Sequence, residues 1–363
     1  MSNDGKNANS AISSVIGSLK LRGIGPAVMG GRIIDIAVDP TNKSRWFVAA
    51  GSGGVWKTEN AGITWDDVFR DQPSYSIGCV AIDPSNPSNI WVGTGENVSG
   101  RHVGWGDGVY RSRDGGKSWK WVGLDKSEHI GKILIDPRDG DVVYVASEGP
   151  LWSTGGERGV FKTADGGETW DNVLVIDNDT GVTELVFDPS NPDMLVAAAY
   201  QRRRHIWALM AGGPGSGIYK SSDAGESWRR IETGLPKDDM GKIGLAVTPA
   251  NPNHVYATIE ASDREKGFYR STDKGESWEK RSDYISGGTG PHYYQQIYAS
   301  PNVADMVYQM DVMVHLTRDG GKTFSMTEDG KSKHSDNHAL WLDPDNPAHC
   351  FCLLYTSPSP RDS

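Results

Sequence analysis

Carboxylates in loop-forming stretches are the residues of this chain most able to do chemistry. Glycoside hydrolysis needs two carboxyl groups across one bond, roughly 5 to 9.5 Å apart according to mechanism. The candidates are Glu96, Asp107, Glu148 and Asp336. We expect Glu96 or Asp107 to pair with Asp336, so the predicted catalytic set is Glu96, Asp107 and Asp336.

Arginine and aromatic residues accompany these acids in two stretches, GENVSGRHVGWGDG and YQRRRHIW. Tryptophan stacks on apolar faces and arginine forks onto carboxylates, so this lining suits a sugar or a peptide carboxylate. An alternative stays open, in which the arginines brace neighbouring loops through ion pairs. The predicted ligand-binding residues are Arg32, Asn97, Arg101, Trp105, His129, Tyr200, Gln201, Arg202, Arg203, His292, Tyr293 and His338.

Other site chemistries are poorly supported. His334, Asp336 and His338 alternate as metal ligands on a strand would, and His292 is a fourth candidate on the preceding blade. No cysteine supports such a site, so we predict no metal and expect hydrogen bonds across a channel mouth. The glycine-rich stretches do not join a strand to a helix, which excludes a phosphate-binding loop, and we predict no cofactor.

An octapeptide, Ser/Thr-x-Asp-x-Gly-x-Ser/Thr-Trp, recurs six times at spacings of 46 to 58 residues and indicates how these residues are positioned. Its acidic or amide residue can accept turn N–H groups, its glycine can supply positive φ, and its tryptophan can pack between sheets. Identical placement in every repeat favours a structural role over catalysis. These structural residues are Asn60, Asp114, Asp165, Asp223, Asp273 and Asp319.

A second mark, Asp-Pro or its relic, occurs seven times and begins at Asp39, Asp83, Asp136, Asp188, Thr248, Ser300 and Asp343. Between the marks lie four short β-rich runs per unit, which we label strands A to D, with the octapeptide on the C–D turn. Four-stranded units with Gly, Pro, Asn and Asp punctuation are typical of propeller blades. The predicted fold is therefore all-β, a β-propeller of four-stranded antiparallel blades, with six complete blades and a truncated seventh.

The loops that could form a site lie on one face of such a propeller. The D–A and B–C loops converge over the central channel, and the A–B and C–D turns lie on the opposite face. Counting seven residues ahead of each Asp-Pro mark predicts the ring of residues at the channel mouth: Arg32, Ser76, His129, Gly181, Gly241, Tyr293 and Asp336.

Composition and the chain ends give further limits. A net charge of −10 over 363 residues disfavours nucleic acid, and no apolar stretch is long enough for membrane insertion. Cys79 is most simply a buried thiol. The Ser/Pro-rich end breaks the repeat pattern, so we divide the chain into a disordered segment (1–19), a propeller with an incomplete seventh blade (20–349) and a non-native or disordered tail (350–363).

The octapeptides resemble Asp-box (BNR) repeats, and their spacing is similar to that of sortilin-like and xyloglucanase-like propellers. The stretches GPAVMGGRI and HSDNHALWLDP resemble large bacterial glycosyl-hydrolase-like proteins with two such propellers. The resemblance implies a second propeller domain as a partner and an extracellular or periplasmic location. It also implies a catalytic aspartate in the first B–C turn, where this chain has Gly51-Ser52-Gly53-Gly54.

Loss of that aspartate favours a module for carbohydrate binding, or for binding a peptide, with the ligand over the central channel. The alternative is a glycoside hydrolase with part of its site in the second propeller. A third possibility is an interaction scaffold that resembles the photosystem-assembly propellers, for which Arg202 to Arg204 are the only local support.

Overall fold

The structure is a computed structural model that describes residues 31–286, 290, 295–327 and 335–354. All regular structure in these residues is β-strand. The strands group into sheets in chain order, which we call blades 1 to 7. No helix in the described residues could span a membrane.

The first three blades have four strands each. They are β1 (Ile33–Val38), β2 (Trp46–Ala50), β3 (Gly54–Thr58) and β4 (Asp66–Asp67); β5 (Ile77–Ile82), β6 (Ile90–Thr94), β7 (Val109–Ser112) and β8 (Lys120–Trp121); and β9 (Ile130–Asp136), β10 (Asp139–Ser147), β11 (Gly159–Thr163) and β12 (Asp171–Leu174).

Blade 4 has an additional strand, β15, which pairs only with the end of β14. Its strands are β13 (Thr180–Asp188), β14 (Asn191–Arg204), β15 (Leu209–Ala211), β16 (Gly217–Ser221) and β17 (Arg229–Ile231). Blade 5 consists of β18 (Ile243–Val247), β19 (Val255–Ile259), β20 (Gly267–Ser271) and β21 (Glu279–Ser282). Blade 6 consists of β22 (Ile297–Ala299), β23 (Val307–Gln309), β24 (His315–Thr317) and β25 (Ser325–Met326).

Blade 7 consists of β26 (Asn337–Leu342) and β27 (Cys350–Leu354), which pair antiparallel in the described residues. The predicted boundary between the propeller and the tail, at Cys350, thus falls at the start of strand β27. Blade 7 packs against blade 1, where the rings of Trp46 and Phe351 lie 4.2 Å apart and Lys43 Nζ lies 2.5 Å from Asp343 Oδ1. The predicted all-β class and A-to-D order of antiparallel strands are confirmed by this topology.

The inner strands β1, β5, β9, β13, β18, β22 and β26 are the A strands, and neighbouring A strands approach closely. A Cβ atom added to Gly78 would lie 2.1 Å from the carbonyl oxygen of Ile130, and one added to Gly131 would lie 2.4 Å from that of Thr183. Glycine is therefore required where one inner strand passes the next. Apolar clusters fill the spaces between adjacent blades, such as Trp91, Ile133, Val145 and Phe161 between blades 2 and 3.

The six octapeptides form C–D turns with closely similar hydrogen bonds. In blade 2, Asp114 Oδ1 accepts from the Ser112 hydroxyl at 2.8 Å and from the Ser118 N–H at 2.9 Å. Asp114 Oδ2 accepts from the Ser118 hydroxyl at 2.6 Å. The glycine of each repeat has positive φ, as at Gly116, whose added Cβ would also lie 2.9 Å from Phe47. The turn geometry therefore accounts for both the acidic residue and the glycine.

The octapeptide tryptophan links adjacent blades in two of the repeats. The indole N–H of Trp119 donates to the Val68 carbonyl at 2.8 Å, and that of Trp170 donates to the Val122 carbonyl at 2.6 Å. Each acceptor belongs to the preceding blade. These two indoles thus join sheets as well as filling space.

The turn carboxylates make stability depend on pH. Hydrogen bonds from the hydroxyl groups of Ser118, Thr169 and Ser227 lower the pKa values of Asp114, Asp165 and Asp223 from 3.8 to about 2. Because the folded pKa is depressed, this stabilisation is present above about pH 4 and is lost as pH falls towards about 2. In blade 1 the corresponding residue is Asn60, whose Oδ1 accepts from the Thr58 hydroxyl at 3.0 Å. Its amide group does not titrate.

We therefore expect the triple variant Asp114→Asn, Asp165→Asn and Asp223→Asn to fold and to lose less stability than the parent between about pH 4 and 2. Asparagine keeps the acceptor oxygen and removes the proton linkage. Urea unfolding midpoints measured across this range test the prediction. Equal changes in midpoint for parent and variant would contradict it.

Candidate functional site

The B–C loop of blade 2, residues 95–108, lies over the mouth of the central channel; we call it the bridging loop. Glu96 pairs with Arg32, which immediately precedes β1 in blade 1. The carbonyl of Asn97 accepts from Lys242 Nζ at 3.1 Å, just before β18 in blade 5. Because blades 1 and 5 stand across the ring from each other, the loop must cross the channel to contact both.

The next residues of the bridging loop contact blade 4. Arg202 Nη1 donates to the Val98 carbonyl at 3.3 Å and to the Ser99 hydroxyl at 3.2 Å. Arg204 donates to the Ser99 carbonyl through Nε at 2.9 Å and Nη2 at 2.6 Å. Val98 also packs in an apolar cluster with Leu151 of blade 3. Residues 95–100 are consequently all buried.

Buried charge beneath the loop is paired. Arg202 Nη1 lies 2.8 Å from Glu148 Oε2, and both side chains are 1% exposed. Burial raises the pKa of Glu148, while the positive charge of Arg202 opposes that shift. Burial likewise raises the pKa of Glu96 against the opposing charge of Arg32. Arg202 therefore contacts the loop and also forms an ion pair, as the alternative from the sequence proposed, whereas Arg204 contacts the loop through hydrogen bonds to a backbone carbonyl.

Two histidines at the channel mouth are also buried. His129 Nδ1 lies 2.8 Å from the Glu96 carbonyl oxygen. Burial, reinforced by the charge of Arg202, lowers the pKa of His129 to about 3. Burial and the charges of Arg32 and Lys242 lower the pKa of His338 to about 3. Both imidazoles are therefore neutral at pH 7.

The residues counted seven ahead of the Asp-Pro marks lie where the inner strands begin. Ser76 donates its hydroxyl to the Gly104 carbonyl at 2.8 Å, which ties the bridging loop to its own blade. Asp336 has φ of 69° and donates its N–H to the Val312 carbonyl at 2.8 Å. His292, Tyr293 and His334 lie outside the described residues.

The predicted catalytic acids have different surroundings. Glu96 is 1% exposed and engages Arg32. Asp107 is half-buried at the end of the bridging loop and accepts from the Tyr110 hydroxyl at 2.7 Å. Asp336 is half-buried and directly precedes β26. Catalytic roles for these three residues remain predictions.

The predicted ligand residues of blade 4 belong to a projecting hairpin formed by the end of β14 and β15. Tyr200 is buried, and Gln201 Oε1 accepts from the Gly215 N–H at 3.0 Å. Arg203 Nη1 lies 3.3 Å from Asp179 Oδ1. These side chains hold the hairpin in place, and its tip carries the exposed groups.

Three exposed indoles lie on this loop face, and we call Trp105, Trp152 and Trp207 the aromatic rim. They are 72%, 45% and 81% exposed, respectively. Arg101 Nη2 donates to the Ile206 carbonyl at 3.3 Å, which joins the bridging loop to the hairpin tip. The sequence predicted Trp105 as a ligand residue but missed Trp152. The position of Trp152 in the B–C loop of blade 3 is the feature that could have indicated it.

The backbone also connects the loops of the aromatic rim. The N–H of Arg204 donates to the Leu151 carbonyl at 2.7 Å, next to Trp152. The rings of His205 and Trp207 stack with centroids 5.7 Å apart and planes at 15°. Blades 2, 3 and 4 thus support one continuous loop surface.

No group of three His, Cys, Asp or Glu side chains that could hold a metal occurs in the part of the chain that the structure describes. His338 is buried, with its pKa lowered as described above.

Comparison with known families agrees with this architecture. Residues 107–233 match the family model Sortilin-Vps10, described as sortilin, neurotensin receptor 3. The fold is a β-propeller, and its repeats resemble those of sortilin-like and xyloglucanase-like propellers.

The curated relatives include a xyloglucanase from Paenibacillus sp, 28% identical over an alignment of 228 residues that covers 56% of this chain and 20% of that protein. The photosystem II stability/assembly factor HCF136 of Cyanidioschyzon merolae is 24% identical over an alignment of 188 residues that covers 49% of this chain and 39% of that protein. The chain therefore spans well under half the length of these relatives.

Similar solved structures include the GH74 xyloglucanase from Xanthomonas campestris, with a TM-score of 0.64 and 16% identity over 91% of this chain and 52% of that one. The structure of YCF48 bound to D1 peptide gives a TM-score of 0.58 and 14% identity over 93% of this chain and 96% of that one. These likenesses show the propeller fold.

The buried ion pair between Arg202 and Glu148 allows the bracing of the bridging loop by Arg202 to be tested. We expect Arg202→Met to lower the free energy of unfolding by about 3–5 kcal/mol, because it leaves the Glu148 carboxylate buried without its partner. Adding Glu148→Gln removes that charge and restores part of the loss. Chemical denaturation of the two single variants and the double variant measures the coupling.

Arg203→Met is the matched control one residue away. Its partner Asp179 is 21% exposed and Arg203 itself is 26% exposed, so the loss there is expected to stay below about 1 kcal/mol. Equal losses for Arg202→Met and Arg203→Met would contradict a bracing role for Arg202.

Proposed function

We propose that this propeller is a glycan-binding module whose contact surface is the aromatic rim. The observation that carries the proposal is the exposure of Trp105, Trp152 and Trp207 on one loop face. Large indoles are costly to leave in water, and exposed apolar surface edged by polar groups marks interaction sites. The flat apolar face of a pyranose is a suitable partner for an indole ring.

The support beneath the rim favours binding. Arg202 and Arg204 hold the bridging loop from below, and Arg101 joins it to the hairpin of blade 4. A rigid, preformed surface loses less conformational entropy when a ligand binds. The rim indoles therefore project from a framework that is fixed before the ligand arrives.

The surroundings of Glu96 favour binding over hydrolysis by this chain alone. A general acid or nucleophile must reach the glycosidic oxygen or the anomeric carbon. Glu96 is instead buried beneath the backbone of its own loop and paired with Arg32. Hydrolysis with a second propeller stays as the alternative.

The relatives suggest the ligand class. Several of the curated proteins that match are xyloglucanases, so we propose a neutral β-glucan such as xyloglucan as the ligand. A second propeller in the full-length protein and an extracellular location are part of the same proposal. YCF48, whose structure holds a D1 peptide, makes a peptide ligand the competing outcome.

Titration calorimetry with xyloglucan oligosaccharides tests the proposal. We expect saturable binding that Trp105→Ala and Trp207→Ala each weaken about tenfold or more, because each removes an exposed stacking surface. Trp65→Ala is the matched control, since this indole is 37% exposed on the opposite, C–D turn face and should not affect affinity.

The same preparation is assayed for new reducing ends and for binding of unstructured peptides. Xyloglucan turnover that Glu96→Gln abolishes would show that the chain is a glycoside hydrolase and would contradict the assignment as a binding module. Peptide binding without glycan binding, or glycan affinity unaffected by both rim variants, would overturn the proposal.

A further inference from the structure

The central channel contains a cavity on the side away from the aromatic rim, and we call it the channel cavity. Its volume is about 340 Å³, and the inner strands of blades 3 to 7 line it. Pro249 and Pro301, which lie in the A–B turns, are part of this lining. The bridging loop covers the opposite end of the channel, so the channel cavity opens towards the A–B turn face.

Most of the wall of the channel cavity is apolar. Four different blades contribute the side chains of Val186, Leu245, Val247, Ile297 and Leu340. Cavities of this size and character are typical of small-molecule sites, in which a few polar groups fix the orientation of an apolar ligand. The wall therefore suits a ligand with an alkyl group.

Two side chains of opposite charge, Lys132 on β9 and Glu184 on β13, also line the channel cavity. They lie at the same level of neighbouring inner strands, since each is four residues ahead of an Asp-Pro mark. The residues just before them are in close contact, because a Cβ atom added to Gly131 would lie 2.4 Å from the carbonyl oxygen of Thr183. The fold thus places a cation and an anion side by side in the wall.

Neither of these charged side chains has a partner within the described residues. The side chains of Lys132 and Glu184 form no hydrogen bond there, and no ion pair within 4.0 Å joins them to each other or to another charged group. Both residues are half-buried. Charge that is partly removed from water without a partner is costly, so a ligand that offers a carboxylate to the lysine and an ammonium group to the glutamate would be stabilised.

The other charges that act on this pair favour a ligand without net charge. They belong to Asp35, Lys242 and Glu148. Glu148 is paired with Arg202, so the remaining two groups add one charge of each sign. Both are held elsewhere, because the Asp35 carboxylate accepts from the N–H groups of Ile36 and Val80, and Lys242 donates to the bridging loop.

We propose that the channel cavity binds a free amino acid with an apolar side chain, such as leucine. Its carboxylate contacts Lys132, its ammonium group contacts Glu184, and its alkyl side chain contacts the apolar wall. A zwitterion carries both charges on neighbouring atoms and has no net charge. The end of a peptide carries only one of the two charges, so the ligand is a free amino acid rather than a peptide segment.

This site is separate from the proposed function. The aromatic rim lies on the loop face, whereas the channel cavity opens on the A–B turn face, and the bridging loop lies between them. Failure of either proposal therefore leaves the other intact. A Trp105→Ala chain should bind leucine normally.

Four probes with the same branched alkyl group separate the two charges from hydrophobic contact: leucine, isocaproate, isoamylamine and isoamyl alcohol. Isocaproate lacks the ammonium group, isoamylamine lacks the carboxylate, and the alcohol carries no charge. Burial raises the pKa of Glu184 to about 7, against the opposing charges of Lys132 and Lys242. Calorimetry on the full chain is therefore run at pH 8, where Glu184 is ionised and the ammonium group of leucine is still protonated.

We expect leucine to bind about tenfold or more tightly than each of the other three probes, because only leucine contacts both charged side chains. No binding by leucine would overturn the proposal. Equal affinity for leucine and for any one of the three analogues would also overturn it, since one of the two charge contacts would then contribute nothing.

Variants locate the two charge contacts. Lys132→Met and Glu184→Gln are each expected to weaken leucine about tenfold, because each removes one charge and largely preserves shape. Lys120→Met and Glu168→Gln are the matched controls, since this ion pair is 63% and 66% exposed and lies outside the channel cavity. The controls should leave leucine affinity unchanged.

A double variant covers the case in which a single variant does not fold. Lys132→Met combined with Glu184→Gln removes one charge of each sign and keeps the net charge of the channel, and it should bind leucine no more tightly than isoamyl alcohol. Leucine affinity unaffected by the double variant, or lowered equally by the two controls, would contradict the assignment.

Discussion

Convergence of the inner strands on one axis is the constraint on which the rest of this structure depends. Where β5 passes β9, and β9 passes β13, the chain has Gly78 and Gly131, and a Cβ at either position would collide with a neighbouring carbonyl oxygen. Strands packed this closely leave a narrow channel. Every inward-facing side chain then shares a small volume from which most water is excluded.

Low dielectric in that volume explains the pairing of charges around it. Glu148 with Arg202, and Glu96 with Arg32, are carboxylates whose burial would be prohibitive without a cation. The bridging loop exploits those cations, because its backbone carbonyl groups accept from Lys242, Arg202 and Arg204. Residues that look like ligand groups in the sequence thus fix a loop, and the loop presents its indole on the outside.

The sequence predicted the repeat because the C–D turn has local chemistry. Asp114 bonds to residues no more than four positions away, so its role follows from spacing alone. Register predictions also succeeded in placing Arg32 and His129 at the beginnings of inner strands. The sequence could not show that Glu96 would be covered, since its partner Arg32 is 64 residues distant.

The amino-acid sequence by itself thus determined the blades, their strand order and their turns, because these depend on hydrogen bonds and side-chain alternation within a few residues. The tertiary structure decided which loop crosses the channel, which arginines are buried and which tryptophans remain in solvent. Those outcomes depend on contacts between blades that are far apart in the chain. Burial and charge compensation arise only when the ring brings such residues together.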